Sequence, residues 1–167
     1  NYCKKVLDQI LDLNNHSIIP HGINSIKFNK NTDQKILKYN SSRPLKLIYV
    51  STVNLYKHQW RVVEAVDELN KNGFFIDLTL IGDNQPDALN LLNNKLNELG
   101  NPKRIKYLGP KKYDKLQQYY YNSDVFIFAS SCETFGMVIL EAMSCGLPVL
   151  SSKQSSMPST FKNIPIY

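Results

Sequence analysis

Short apolar segments alternate along most of the chain with longer segments whose apolar residues recur at helical spacing. The apolar segments are rich in β-branched and aromatic residues, which is typical of strands inside a parallel sheet. We predict strands at residues 45–50, 75–81, 104–108, 124–129 and 148–151, the fourth of them buried on both faces. This alternation indicates an α/β fold, a doubly wound, mostly parallel sheet that binds its ligand at the carboxyl ends of the strands.

The segments between the strands predict helices. The first is expected to bury one apolar side, formed by Trp60, Val63, Ala65, Val66 and Leu69. Further helices are predicted at about residues 87–99 and 113–121. Near the start of the chain, a helix is predicted at 4–13 and a brief strand at 17–20. Residues 24–44 and 152–159 are expected to be polar connections.

The chain is organised around residues 130–148, which predict a loop followed by a helix directly after the fourth strand. A helix N-terminus at the carboxyl edge of a sheet attracts anions, because its N–H groups are free and its dipole is positive. Gly136 lies where this helix begins, and its lack of a Cβ lets a ligand approach the backbone. We therefore predict an anion site here.

Two acids, Glu133 and Glu141, are separated by seven residues in this segment. They fit the acid and base of a glycosidase, and they fit equally a pair of carboxylates that bind hydroxyl groups. They also fit a surface loop acid and a helix acid that the dipole stabilises. The residues alone leave these alternatives open.

Lys57 lies between the first strand and the helix that follows it, and so at the same edge of the sheet. The helix dipole disfavours a cation at this point, which favours a phosphate contact over a solvated lysine. His21, beside Gly22, fits a turn residue better than a ligand contact.

Composition narrows the class of protein. The chain has 167 residues, about one domain, and its 43% hydrophobic and 20% charged residues are ordinary for a globular protein. A formal charge of +6 favours anionic ligands, but the basic residues are dispersed, so we expect no nucleic-acid partner. No apolar run approaches the ~20 residues of a membrane span. The three cysteines form no C-x-x-C pair and suggest neither disulfides nor a zinc site. We therefore expect a cytoplasmic location.

Several chemistries lack their required motif. No G-x-G-x-x-G follows a strand, and no phosphate loop of the form G-x-x-x-x-G-K-[ST] is present. The chain also contains no D-x-D, H-E-x-x-H or G-x-S-x-G motif. Dinucleotide, ATPase, metal-dependent and serine-nucleophile chemistries are therefore not indicated, and we expect no metal or other cofactor.

The series of motifs resembles the donor domain of the retaining family 4 glycosyltransferases of GT-B fold, the glycosyl transferases group 1. Residues 133–149 resemble the E-x7-E region of that family, residues 20–24 its P-N-G-V-D turn, and Lys57 its lysine after the first long strand. Residues 80–82, 107–109 and 124–126 follow in the expected order, so the resemblance covers nearly the whole chain.

The resemblance implies a Rossmann-like C-terminal domain. The first residue is not Met, and residues 163–167 resemble the beginning of another strand. We therefore expect residues 1–167 to be a single donor-binding domain cut from a longer two-domain enzyme, with residues 1–15 forming a helix from the interdomain region and the last strand and helices truncated.

The resemblance also implies roles for individual residues. Glu133 and Lys57 would be catalytic, the first contacting hydroxyl groups of the transferred sugar and the second neutralising the diphosphate leaving group. Backbone N–H groups of residues 135–138 would face the sugar and phosphates. Glu141 would contact the ribose, and residues 107–109 would border the base. The implied donor-binding residues are Gly22, Thr52, Tyr107, Leu108, Gly109, Phe135, Gly136, Met137, Val138 and Glu141.

Two positions depart from the family pattern. Thr52 stands where the family usually has an arginine, and the candidates to replace its charge are Arg61, Lys111 and Lys112. The loop after Ser151 has residues 155–159 in place of the usual glycine pair and glutamate. Donor or acceptor preference is expected to differ accordingly.

The implied function is metal-independent, retaining transfer of a sugar from a nucleotide-sugar donor to an acceptor hydroxyl of a polysaccharide, lipopolysaccharide or other glycoconjugate. The acceptor, a glycan or glycolipid, would bind through a preceding domain, and peripheral association of the full-length protein with the inner face of the membrane is a further expectation. The alternatives are a nucleotide-sugar epimerase or hydrolase, and a non-catalytic domain that binds a phosphorylated ligand.

Overall fold

A computed structural model of the chain describes residues 7–11, 19, 21–23 and 39–167. The described residues contain five strands, β1 (Leu45–Val50), β2 (Ile76–Ile81), β3 (Ile105–Tyr107), β4 (Val125–Phe128) and β5 (Val149–Ser151). The helices that alternate with them are α1 (Gln59–Lys71), α2 (Pro86–Glu98), α3 (Tyr113–Tyr121), α4 (Met137–Ser144) and α5 (Met157–Phe161). A 3₁₀ turn, Leu55–Lys57, lies between β1 and α1.

The five strands form one sheet in the order β3-β2-β1-β4-β5, and every pair of neighbours is parallel. From β1 the chain moves outward to β2 and β3, then returns to place β4 on the other side of β1. The predicted doubly wound, Rossmann-like α/β fold is confirmed. Its strand order reverses between β1 and β4, and in such sheets ligands bind outside the carboxyl ends of the strands at this reversal.

The core lies between the sheet and its helices. Ile48, Phe126 and Phe128 are fully buried, as expected of central strands. The predicted burial of the fourth strand on both faces is wrong, because Val125 and Ile127 on the other face are only partly buried.

The apolar side predicted for α1 is partly wrong. Val63 and Val66 are buried as expected, together with Val62, but Ala65 and Leu69 are exposed. The helix begins at Gln59, and positions 62, 63 and 66 then share the face that meets the sheet, since residues three and four apart lie together on a helix.

The segment after β5 also differs from the prediction. Residues 152–159 were expected to be a loop, but α5 begins at Met157, and Met157 and Phe161 are buried in the core. Beyond α5 the chain returns to β5, where the Ser151 N–H donates to the Ile166 carbonyl at 2.8 Å and the Ile166 N–H donates to the Val149 carbonyl at 2.9 Å. The predicted start of a further strand lies here.

The start of the chain is described only in part. Residues 7–10 are helical, inside the helix predicted at 4–13. The rest of that helix, most of the strand predicted at 17–20 and most of the connection at 24–44 lie outside the described residues. Among the residues that are described, no helix is long and apolar enough to cross a membrane.

Candidate functional site

The candidate site lies at the carboxyl edge of the sheet, at the reversal of strand order. The 3₁₀ turn that ends at Lys57 follows β1, and the loop that carries Glu133 follows β4, the neighbour of β1. The Ser131 N–H donates to the Tyr56 carbonyl at 2.8 Å, and the His58 Nε2 and the Ser131 Oγ are 2.9 Å apart. These bonds join the turn to the loop.

Lys57 and Glu133 form an ion pair at this junction, through the Lys57 Nζ and the Glu133 Oε1. Their side chains are only 10% and 12% exposed. The ammonium also lies over the Phe128 ring, 4.7 Å from its centroid, where the electron-rich face attracts a cation. A buried ion pair whose partner is removed leaves an uncompensated charge, so each of the two residues depends on the other.

Tyr49 of β1 holds the backbone of Lys57 through a hydrogen bond. The Tyr49 hydroxyl, which is buried, donates to the Lys57 carbonyl at 2.6 Å. Burial raises the pKa of Tyr49 above its usual value, so the hydroxyl stays protonated and remains a donor. The lysine is therefore fixed at both its backbone and its ammonium group.

Ser155, on the loop after β5, holds the backbone of Glu133. The Glu133 N–H donates to the Ser155 Oγ at 3.0 Å, and the Ser155 hydroxyl donates to the Glu133 carbonyl at 2.8 Å. This loop departs from the family pattern in sequence, and its serine has a definite contact with the candidate site.

Gly136 allows α4 to begin where it does. Its φ of +83° lies in the left-handed region, and a Cβ at this position would approach the Met157 Cε to 3.0 Å and the Phe161 Cε2 to 3.3 Å. Gly136 is the N-cap of α4 and makes no side-chain capping hydrogen bond there. The first N–H groups of a helix have no partner within it, so those of Met137 and Val138 are suited to an anion.

Glu141 belongs to a second cluster. The hydroxyl of Tyr120, which is 1% exposed, donates to the Glu141 Oε2 at 3.1 Å. Burial raises the pKa of Glu141, while hydrogen bonds from the Tyr120 and Tyr113 hydroxyls lower it in part. No lysine, arginine or histidine among the described residues forms an ion pair with it. The two acids therefore lie in separate clusters, one on α4 and one on the loop before it.

The ends of β2 and β3 lie beside each other at the same edge. The Tyr107 hydroxyl donates to the Gly82 carbonyl at 2.9 Å, and the Gly82 N–H donates to the Gly109 carbonyl at 3.1 Å. A Cβ at Gly82 would lie 2.0 Å from the Ser51 carbonyl oxygen, so only glycine fits. The Leu108 carbonyl accepts from the Lys111 Nζ at 2.6 Å.

The remaining predicted residues lie around this edge. Thr52 is exposed, and its carbonyl accepts from the Gln59 Nε2 at 3.0 Å. Arg61, proposed as a substitute cation, pairs with Glu64 at 3.0 Å on the exposed side of α1. Gly22 is exposed, and the ring of its neighbour His21 meets the Phe135 ring with centroids 5.1 Å apart. The role predicted for each residue stays a prediction.

Four contacting residues were missed from the sequence: Tyr49, Phe128, Tyr120 and Ser155. Tyr49, Phe128 and Tyr120 lie in apolar or aromatic segments, which predict core packing. Only their contacts in the structure reveal that they also hold Lys57 or Glu141. Ser155 had one signal, its place in the loop that departs from the family pattern. Among the described residues, no group of three or more histidine, cysteine, aspartate or glutamate side chains is arranged to hold a metal ion.

Curated relatives of the chain are glycosyltransferases and related synthases. The N-acetyl-alpha-D-glucosaminyl L-malate synthase of Bacillus anthracis is 29% identical over 143 residues, which cover 83% of this chain and 35% of that protein. The D-inositol 3-phosphate glycosyltransferase of Mycolicibacterium vanbaalenii is 39% identical over 67 residues, 40% of this chain and 15% of that protein.

Solved structures share the fold. Anabaena HepE, solved in complex with UDP and glucose, superposes with a TM-score of 0.62 at 26% identity and covers 70% of this chain and 31% of its own. The lipopolysaccharide outer core galactosyltransferase WaaB, at 23% identity, shows the fold alone, with a TM-score of 0.63 over 93% of this chain and 42% of its own. The chain therefore spans less than half the length of these proteins.

The family model described as glycosyl transferases group 1 matches residues 29–164. This match contains β1 to α5, the Lys57 turn and both acids. The chain belongs to the glycosyl transferases group 1 family.

Proposed function

We propose that the protein transfers a sugar from a nucleoside-diphosphate sugar to an acceptor hydroxyl, and that residues 1–167 hold the donor. The observation that carries the proposal is the contact between Lys57 and Glu133 beside the N-terminus of α4. In such a donor the sugar is bonded directly to the diphosphate. A cation that binds the diphosphate and a carboxylate that accepts hydrogen bonds from the sugar should therefore lie side by side, as Lys57 and Glu133 do.

The diphosphate binds between the Lys57 ammonium and the first N–H groups of α4. When the bond from the anomeric carbon to the diphosphate breaks, the diphosphate oxygen keeps the electron pair and gains negative charge. A cation and a helix N-terminus stabilise that charge, and the Phe128 ring and Tyr49 keep Lys57 in place once the diphosphate has replaced Glu133 as its partner.

The sugar binds against Glu133. Its carboxylate is acceptor-only when ionised and so suits sugar hydroxyl groups. Before the donor binds, Lys57 balances the charge of Glu133. The incoming diphosphate competes for the lysine, and the carboxylate then turns to the sugar.

The nucleoside lies along the ends of β2 and β3. Glu141 accepts from the ribose, and residues 107–109 border the base. Support comes from their place at the same edge as Lys57 and from HepE, a solved relative that contains UDP, and in a further structure UDP-glucose.

The acceptor oxygen forms its bond to the anomeric carbon as the diphosphate leaves, and the acceptor proton passes to the departing phosphate. No side-chain base of this domain is required for that step. We further propose that the configuration at the anomeric carbon is retained and that no metal takes part.

We propose that the acceptor, a glycan or glycolipid, binds on a second domain of the full-length protein, which works in the cytoplasm or at the inner face of the membrane. This chain covers only 35% of the Bacillus anthracis relative, and that greater length supports an acceptor site outside residues 1–167. Residues 1–167 then form the donor domain.

Calorimetry of the full-length protein with UDP, GDP and ADP tests the proposal. We expect one of the three to bind. Lys57→Ala should weaken that binding by about tenfold to a hundredfold, the effect expected when a hydrogen bond to a charged group is lost. Lys103→Ala, an exposed lysine at the opposite edge of the sheet, is the charge-matched control. Failure to bind any of the three nucleotides would overturn the proposal. Sugar release or epimerisation at the same rate without an acceptor would favour the hydrolase or epimerase.

A further inference from the structure

A small cavity lies where α3 meets α4, beside Glu141. Its volume is about 80 Å³, and its lining residues are Tyr113, Asp114, Leu116, Gln117, Tyr120 and Glu141. Helix α3 begins after β3 and so starts at the carboxyl edge of the sheet, where the proposed donor lies. The cavity is too small for a nucleoside, but a hydroxyl-bearing edge of a sugar fits it.

Tyr120 is fixed within the core. It is 1% exposed, and its ring packs against Phe126 of β4 with the centroids 6.0 Å apart. Close packing leaves a buried ring one orientation, so the hydroxyl points in one direction. Burial and the neighbouring Glu141 charge raise the pKa of Tyr120 above its usual value, and the hydroxyl therefore stays a donor.

This hydroxyl donates to one oxygen of Glu141, Oε2, at 3.1 Å. A carboxylate has about four acceptor positions on its two oxygens, so the bonds from the Tyr120 and Tyr113 hydroxyls still leave acceptor positions for a ligand. The bond from the buried Tyr120 stops the carboxylate from rotating, whereas Tyr113 is 57% exposed and holds it less firmly. Glu141 is thus presented to the cavity in one orientation, which a solvated glutamate on an exposed helix would not keep.

We propose that Tyr120 is a positioning residue that makes the site selective for a ribose over a deoxyribose, by holding Glu141 toward the ribose hydroxyl groups. This rests on the proposed function, since it requires a nucleoside diphosphate at this edge. Tyr120 itself does not touch the donor. Its effect is confined to interactions that pass through the carboxylate.

The experiment measures the affinity of the full-length protein for UDP, 2′-deoxy-UDP and 3′-deoxy-UDP, with the GDP or ADP series instead if calorimetry shows that the protein binds that base. The wild-type protein should bind the ribonucleotide roughly tenfold to a hundredfold more tightly than at least one deoxy form, the value of a hydrogen bond to a charged group. Tyr120→Phe, which removes only the hydroxyl, should reduce this ratio to within about threefold of one.

Tyr119→Phe is the matched control. It is the same substitution one residue earlier on α3, and Tyr119 lines a different cavity, beside Lys46 and Asp77 at the other edge of the sheet. Its ratio should equal that of the wild type. Melting temperatures of both variants show that each is folded.

The outcomes separate this inference from the proposed function. If the wild-type protein binds none of UDP, GDP and ADP, both are overturned. If it binds a nucleotide without preferring the ribose form, or if Tyr120→Phe weakens all nucleotides equally and keeps the ratio, the inference alone is overturned and Tyr120 is a packing residue.

Discussion

Glu133 lies on the loop after β4 and contacts the ammonium of Lys57, whereas Glu141 lies on α4 and contacts the hydroxyl of a buried tyrosine. Glu133 forms an ion pair with the Lys57 ammonium, and that ammonium also packs against the Phe128 ring. Among the residues that the structure describes, Glu141 contacts only the neutral hydroxyls of Tyr120 and Tyr113, and burial raises its pKa. Both acids stand at one edge of one sheet.

The two arrangements suit different roles in the proposed function. A charge-balanced acid is stable before a ligand binds, but a ligand must separate it from its cation before either can act. An acid held by a neutral hydroxyl is already available to a ligand, and the cost of burying it falls on the stability of the fold instead. The first arrangement suits a group that acts only after the diphosphate arrives, and the second suits a fixed anchor.

The largest effect should come from Glu133→Gln. The amide keeps the size of the side chain but loses the charge, so kcat should fall about 10²- to 10³-fold, as when one stabilising group is removed from a transition state. The measurement is the release of nucleoside diphosphate from the donor by the full-length protein. Glu68→Gln, an exposed acid of α1, should leave kcat unchanged. An unchanged kcat in Glu133→Gln would remove that residue from the mechanism.

The next effect should come from Gly136→Ala, which disturbs the start of α4 between the two acids. A side chain there meets both a positive φ and the Met157 Cε at 3.0 Å, so the free energy of unfolding should fall by about 1–3 kcal/mol. Gly73→Ala separates the two causes, because Gly73 has a φ of +89° and a Cβ added there would meet nothing within 4 Å. Denaturant unfolding should show the greater loss for Gly136→Ala. Equal losses would mean that packing against α5 contributes nothing.

The smallest effect concerns the stability cost of Glu141. A carboxyl whose pKa is raised on folding contributes stability below its unfolded pKa and loses it as the pH rises through the folded pKa. At neutral pH the charged form is therefore unfavourable, and Glu141→Gln should raise the melting temperature by about 1–2 °C, a small shift because the group is partly solvated. The gain should disappear near pH ~4, where the unfolded carboxyl is itself protonated. A lower melting temperature at neutral pH would contradict the proposed burial cost.

Much of the fold could be predicted because strand positions depend on local pattern. The five strands lie within one residue of their predicted bounds, and their alternation with helices predicted that Lys57 and residues 130–148 lie at one edge of the sheet. α5 was missed, since its five residues include a proline and two polar residues and bury only Met157 and Phe161. So short a pattern cannot be distinguished from a loop.

The site was predictable only where a motif marks it. The strand-to-helix pattern singled out Lys57, Glu133 and Glu141, the family resemblance implied their roles, and the fold brings the first two into contact. The hydroxyl of Tyr120 was not predictable, because its partner lies 21 residues away and depends on how α3 packs on the sheet. Ser155 reaches Glu133 across 22 residues for the same reason.

The most direct test compares UDP affinity, or that of whichever nucleoside diphosphate the full-length protein binds, in Glu133→Gln and Glu141→Gln. Glu133→Gln removes the competitor for Lys57, so the nucleotide should bind at least as tightly as to the wild type. Glu141→Gln removes the charged ribose acceptor, so the same nucleotide should bind about tenfold more weakly. Affinity changes of the same sign and size in both variants would contradict the account.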